Sequence, residues 1–400
     1  MPPASLLRSP LYPWLVLFLC MLIVAASNAM INAGLTVFDE SLLEEFGWSL
    51  SELKTRDSIT FLGASLFVLL AGYLVDRFGF KPLQLFGLVA LAAAYFIYGR
   101  ASTLWQLYSL HVVFALVAAC SGNMTNVVAT ASWMPQRRGL AVGVTIAGTS
   151  VGGMLFPPIA NALNSALGWR DAMQVGALFP LILAALVFLL IGNRRARDSR
   201  SDGTTGDGVS FAEALRSIQF YLIFAGGAFT YFAILALFSH LFLYMRSQGF
   251  TPGEASYALS LLSLAALTGK LGAGWIADRI NPFLFFKIQM LTMFAGIAGI
   301  ALLPASVWLF LPLAGFGWGG LHTLYNFILL HLFGMRDAGK INGTVSVGEA
   351  AGGAAGIFFT GLVYDLGGGY GPAWTMVLMV MGLGTLLIMP LREKAAPAHS

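Results

Sequence analysis

The chain has 400 residues, 58% of them hydrophobic and only 10% charged, with a formal net charge of +4. A soluble domain carries roughly 25% charged residues; with a mean hydropathy of +0.79 the apolar surface is too large to hide from water, which excludes a soluble fold and predicts an integral membrane protein. The basic residues are scattered through short loops, so the positive balance is no nucleic-acid signal, and neither Cys20 nor Cys120, both inside apolar runs, suggests a disulfide framework.

Along the chain, Arg8, an apolar run and the small-residue stretch "AASNA" are similar to a cleaved signal peptide, but the apolar run continues to Val37 and can span by itself. A span needs about 20 apolar residues. Twelve are expected, at 14–37, 57–75, 82–99, 103–132, 139–165, 171–192, 213–245, 255–277, 283–303, 306–333, 340–365 and 372–391. The polar stretch "GNRRARDSRSDGTTGDGVS" separates them into halves: 1–192, a linker at 193–212, and 213–400. The fold class is therefore an all-α membrane protein of twelve transmembrane helices in two six-helix bundles.

With both termini inside, sixteen of the 22 basic residues fall on the cytoplasmic side and five outside: Lys54, Arg56, Arg100, Arg170 and Arg246. Lys270 is left within a span. This asymmetry predicts a multi-pass protein of the inner (plasma) membrane with cytoplasmic ends.

The second half repeats the first. Gly72, Asp76 and Arg77 match Gly274, Asp278 and Arg279; Gly139, Gly143, Gly148, Gly152 and Gly153 match glycines 200 residues later. Parallel six-span halves are a known transporter plan, with the substrate site near mid-membrane. Here the chain resembles the major facilitator superfamily, whose loop motif is present at Gly72, Asp76, Arg77, Gly79 and Lys81, with a degraded copy at Asp278 and Arg279. The resemblance implies that these residues help hold a cytoplasmic gate; a plain positive-inside turn is the simpler reading. "LLEEFGWS" (Leu42–Ser49), "WMPQRRGLAVGVTIAGTSVGGMLFPPI" (Trp133–Ile159) and "LGWRDA" (Leu167–Ala172) are similar to the bacterial monocarboxylate and oxalate–formate porter branch, which carries small carboxylates, often with a proton.

Lys270 lies about 12 Å along a helix from Asp278, near mid-depth. A charge there costs at least about 2.5–3.5 kcal/mol, so it faces a cavity or a partner, unless the side chain snorkels to the headgroups. The branch places a substrate-binding arginine at the position Lys270 occupies relative to Gly274, which implies that Lys270 binds a carboxylate. Gly269, Gly272 and Gly274 would let a ligand or helix approach. Glu349 lies at similar depth, about 13 Å from Lys340, as a coupling residue or as one half of a static ion pair with Lys270.

Further polar residues share helix faces: His322, Tyr325 and Asn326 on the tenth span, Asn123, Asn126 and Thr130 on the fourth, Asn28 and Asn32 on the first, Thr230 and Tyr231 on the seventh. Each could simply bond helix to helix. In the superfamily spans 1, 4, 7 and 10 line the cavity, which implies that Asn32, Asn123, Asn126, Tyr231, His322, Tyr325 and Asn326 bind substrate with Lys270. The chain departs from the branch at Ala266 and Ala33, where relatives carry an acid and a lysine, and at Glu349, where oxalate–formate exchangers carry a second cation.

The expected function is secondary active transport (symport or exchange) of a small organic monoanion such as lactate or pyruvate by alternating access, with a proton as candidate coupling ion. The alternative is efflux of amphiphilic compounds. A nucleotide loop, a metal cluster and a nucleophile motif are all lacking from the loops, so the expectation is a monomeric transporter in the lipid bilayer with no enzyme activity, cofactor, metal or nucleic-acid partner.

Overall fold

The computed structural model describes residues 9–192, 208–277 and 279–392, without side-chain detail at 69, 274, 275 and 277. Asp278 and most of the linker lie outside the described residues. The architecture is helical: α1 (Tyr12–Ala29), α2 (Asp39–Phe46), α3 (Leu50–Phe78), α4 (Phe80–Tyr98), α5 (Leu104–Ser121), α6 (Asn123–Trp133), α7 (Arg138–Leu167), α8 (Trp169–Gly176) and α9 (Leu178–Leu190) precede the linker. After it come α10 (Phe211–Ala214), α11 (Ile218–Ser247), α12 (Pro252–Ala277), α13 (Pro282–Leu302), α14 (Val307–Phe333), α15 (Ala338–Gly367) and α16 (Tyr370–Ile388). Among the described residues, β-pairing is confined to an isolated bridge between Gly208 and Gly334.

Helices suit these apolar runs because every main-chain polar group is then satisfied within its own segment. Ten described stretches are long and apolar enough to cross a membrane, and an eleventh if α3 counts as one span. The remaining expected span, α12, is 26 residues long, enough to cross the hydrocarbon core at about 1.5 Å per residue.

Of the boundaries that differ from the sequence expectation, three bear on the residues described below. The first span ends at Ala29 rather than Val37, and the chain then turns through a 3₁₀ segment, Leu35–Phe38, into α2. The second starts at Leu50, not 57, because Ser49 and Glu52 form a reciprocal capping box. The fourth breaks at Gly122, whose extended backbone separates α5 from α6.

By main-chain proximity the chain forms two compact units. The first comprises residues up to Ser201 together with Phe238–Ser263; the second comprises Asp202–Leu237 and Leu264 onward. In the first, Gly152 of α7 packs so closely on α1 that a Cβ would collide with Ala25. In the second, Gly348, Gly352 and Gly356 of α15 face Phe224, Ala228 and Phe232 of α11, and a Cβ at Gly352 or Gly356 would overlap the carbonyl of Ala228 or Phe232. Small residues thus replace the hydrophobic drive that lipid removes, and the repeat seen in sequence is a repeat of helix seams.

Candidate functional site

Within the second unit the backbones of α12 and α14 approach at Gly269 and Gly319, where a Cβ would overlap Phe316 or Ala266 respectively. This contact carries Lys270 to His322, close enough for the ammonium to act on the imidazole. The His322 Nδ1 lies 3.3 Å from the Tyr231 hydroxyl on α11, and Tyr231 also hydrogen-bonds the carboxylate of Glu349 on α15. A hydroxyl has one hydrogen. If Tyr231 donates it to Glu349, the Tyr231 oxygen accepts from His322 Nδ1–H, and Nε2 keeps its lone pair, the form compatible with a nearby ammonium. The series Glu349–Tyr231–His322–Lys270 therefore links an acid to a base through two neutral groups. Trp318 closes one side, its ring 4.9 Å from Tyr231 and 5.6 Å from His322.

Tyr325 is buried at the base of this group. Its hydroxyl lies 3.0 Å from Thr230 Oγ1, its ring packs edge-on at 4.9 Å against Phe286, and both Tyr325 and Glu349 border the small Gly227 on α11. Asn326, one turn past His322, is exposed and lines a cavity of about 230 Å³ with Leu329, Phe333, Ile341 and Asn342. The structure thus gathers Tyr231, Lys270, His322, Tyr325 and Glu349, with Asn326 at one margin.

The candidates in the first unit behave differently. Asn126 is fully buried, and its amide closes the break between α5 and α6: Nδ2 donates to the Ser121 and Gly122 carbonyls at 2.8 Å, and Oδ1 accepts from Gln84 at 2.8 Å. Asn123 is half-buried, with an Oδ1 that has no hydrogen-bond partner among the described residues. Asn32 is exposed in the turn after α1 and donates to the Asn28 carbonyl at 3.0 Å.

At the loop motif, Gly79 takes a φ of 84° between α3 and α4, a conformation that favours glycine. Gly72 packs on Met124. Lys81 donates to the Phe188 carbonyl at 2.8 Å near the end of α9, where a cation complements the helix dipole. Arg77 is exposed, 3.3 Å from the Tyr73 hydroxyl, and Asp76 and Arg279 are also exposed. Two stretches of the branch resemblance meet: Glu45 accepts from the Trp169 indole at 2.6 Å and from Arg170 at 2.5 Å.

Lys54 and Arg56, counted among the outer-side charges and placed before the second expected span, lie inside α3 in the structure. Both are fully buried near the start of α3 and both bind Asp39, itself fully buried. Asp57 joins them, 3.2 Å from Arg56 and 3.4 Å from Lys54. Arg56 also donates to the Tyr98 hydroxyl at 2.6 Å, and His111, 3.9 Å from Asp57, pairs with Thr60 at 2.8 Å. Deep charges are therefore not confined to the second half. The sequence signal was the Ser49–Glu52 capping pair, which moves the helix start seven residues earlier and brings Lys54 and Arg56 into the helix beside Asp57.

Comparison with known proteins agrees with this architecture. An oxalate:formate antiporter of Oxalobacter formigenes is 23% identical over 395 residues, covering 96% of this chain and 91% of that protein. An aspyridones efflux protein of Emericella nidulans is 26% identical over 259 residues, 63% of this chain and 51% of that protein, so this chain spans about half of it. A crystal structure of a bacterial homologue of the human lysosomal transporter Spinster superposes with a TM-score of 0.78 at 16% identity, covering 98% of this chain and all of that one, a likeness of fold. The Major Facilitator Superfamily model matches residues 17–357. The chain is a multi-pass membrane transporter protein and belongs to the major facilitator superfamily.

Proposed function

We propose that the protein moves a small organic monoanion, such as a monocarboxylate, by alternating access, with Lys270 as the cation that receives the carboxylate and Glu349 as the coupling acid. The observation that carries this reading is the Glu349–Tyr231–His322–Lys270 series within one compact unit. An anion arriving at Lys270 would change the charge seen by His322, and through Tyr231 the environment of Glu349. The likeness to an oxalate:formate antiporter supports a carboxylate substrate. One ammonium acting as a point charge suits a monoanion better than a dianion. The likeness to an efflux protein supports export of larger amphiphiles as the second reading.

Uptake of labelled lactate, pyruvate and acetate into proteoliposomes, beside a drug-susceptibility panel in cells, separates the two. Under the first reading Lys270→Gln abolishes uptake, Lys270→Arg keeps part of it, and Lys270→Gln with Glu349→Gln stays inactive. Uptake by that double variant near the parent rate would reduce Lys270 to a structural partner of Glu349. Drug export without anion uptake would replace the substrate class.

A further inference from the structure

The fourth expected span, in the first unit, is broken at depth. Gly122 stands between α5 and α6 with an extended backbone, no hydrogen-bonded turn spans it, and a Cβ there would overlap the Ala118 carbonyl. From the break α6 runs 11 residues to Trp133, so the break lies about 16 Å from that end, about half the thickness of the apolar core. A broken helix leaves carbonyls on one side and N–H groups on the other, and in lipid each must find a partner.

The two sides are served unequally. At the carbonyl side Asn126 Nδ2 donates to Ser121 and Gly122 at 2.8 Å, Ser27 Oγ adds a bond to Ser121 at 2.9 Å, and Gln84 holds the oxygen of the Asn126 amide. The N–H side is open. The first bond of α6 runs from the Asn126 N–H to the Gly122 carbonyl at 3.4 Å. The N–H groups of Asn123, Met124 and Thr125 lie ahead of it, and α6 has no side-chain cap. Thr125 has no exposed surface, yet its hydroxyl has no hydrogen-bond partner among the described residues; the Asn123 side-chain oxygen is likewise buried and unpaired. Side chains of a helix lean towards its N-terminus, which puts both on the side of the open N–H groups.

We infer that the N-terminus of α6 is an anion site of the first unit, taking a small carboxylate on the N–H groups of Asn123, Met124 and Thr125, with the Thr125 hydroxyl as a further donor. The aligned N–H groups are the positive end of the helix dipole and disfavour a cation. The same arrangement receives carboxylates and phosphates at helix starts, and discontinuous membrane helices use it for anionic substrates. The choice of a carboxylate rests on the proposed function; the site itself shares no residue with the Lys270 group.

Equilibrium dialysis of labelled lactate against the full chain in nanodiscs counts bound anions, and hydrogen–deuterium exchange over residues 122–128 locates them. The parent should bind two lactates per chain. Lys270→Gln should keep one, with slower exchange at 122–128 when lactate is present. In that background Thr125→Val should weaken the remaining lactate about tenfold, as expected for one hydrogen bond to a charged group, and Thr125→Ser should keep it. The unfolding temperature of Thr125→Val without lactate should not fall, since the hydroxyl has no protein partner to lose. A single lactate that disappears with Lys270→Gln overturns the α6 site and leaves the Lys270 reading intact. A single lactate that survives Lys270→Gln and weakens with Thr125→Val supports the α6 site and overturns Lys270 as the receiving cation. Retained binding that ignores Thr125→Val, or exchange at 122–128 that ignores lactate, overturns the assignment to α6. A parent that binds no lactate overturns a carboxylate at either place.

Discussion

The two compact units hold their deep charges in opposite ways. In the first, Asp39, Lys54, Arg56 and Asp57 interlock as direct ion pairs. In the second, Glu349 is met by the Tyr231 phenol, and Lys270 lies near the His322 imidazole. Direct pairing in a low-dielectric interior is hard to break and resists rearrangement. A carboxylate held by a hydroxyl can exchange that partner for a ligand at little cost, because a neutral hydrogen bond contributes only about 0.5–1.5 kcal/mol net. One region locks its charges to one another; the other sets its charges against uncharged partners.

The sharpest way to break this contrast is to remove one charge from the locked cluster. Lys54→Met leaves Asp39 short of a partner in a fully buried position, and should lower stability by about 3–5 kcal/mol. Adding Asp39→Asn should recover part of the loss. Thermal unfolding in detergent measures both, and a loss below about 1 kcal/mol would mean that the cluster is no tighter than a surface pair. The matching change in the second unit, Tyr231→Phe, should leave stability within about 1 kcal/mol while raising KM for the transported anion about five- to tenfold.

A smaller effect separates seams from open helix faces. A Cβ at Gly352 meets the Ala228 main chain, whereas one at Gly343 meets nothing within 4 Å. Gly352→Ala should cost about 1–3 kcal/mol by overpacking, and Gly343→Ala should stay within about 0.5 kcal/mol of the parent. Equal unfolding temperatures for the two variants would contradict the close α11–α15 contact.

The smallest effect concerns Glu45, an exposed charge outside the spans. The Trp169 indole, and then Arg170, hold its carboxyl below the usual carboxylate range. A lowered value in the folded state means the stabilisation is present at neutral pH and is lost as pH falls through that lowered value. Because Glu45 and Arg170 are 41% and 37% exposed, the pair contributes under about 1 kcal/mol. The parent should unfold slightly above Glu45→Gln at pH 7, and the gap should close on acidification. A gap independent of pH would remove the carboxylate from the account.

Much of the fold was legible because lipid imposes long apolar runs and the halves repeat. Of the glycines paired 200 residues apart, Gly148 and Gly152 and again Gly348 and Gly352 lie where helices touch, whereas Gly143 and Gly343 face open space. Lys270 and Glu349 stood out because a charge deep in an apolar run is costly. The first-unit cluster was hidden by a rule that usually helps: charges beside a span were assigned to the loop, although the cap at Ser49 had already begun the helix. Asn126 was misleading for another reason. Helical spacing from Asn123 to Thr130 presumed an unbroken fourth span, and a side chain that repairs a break cannot be told from a cavity residue by periodicity.

The glycine seam between α11 and α15 has a mechanical consequence. Gly348, Gly352 and Gly356 recur every four residues and mesh with Phe224, Ala228 and Phe232 at the same interval, like teeth of two racks. Sliding α15 by one residue, a rise of 1.5 Å with a turn of about 100°, would drive alanine methyls at 351 and 355 towards notches that accept only hydrogen. The two helices therefore keep their register and travel as one piece. Tyr231 and Glu349, one on each rack, keep their spacing for as long as the two helices hold this register.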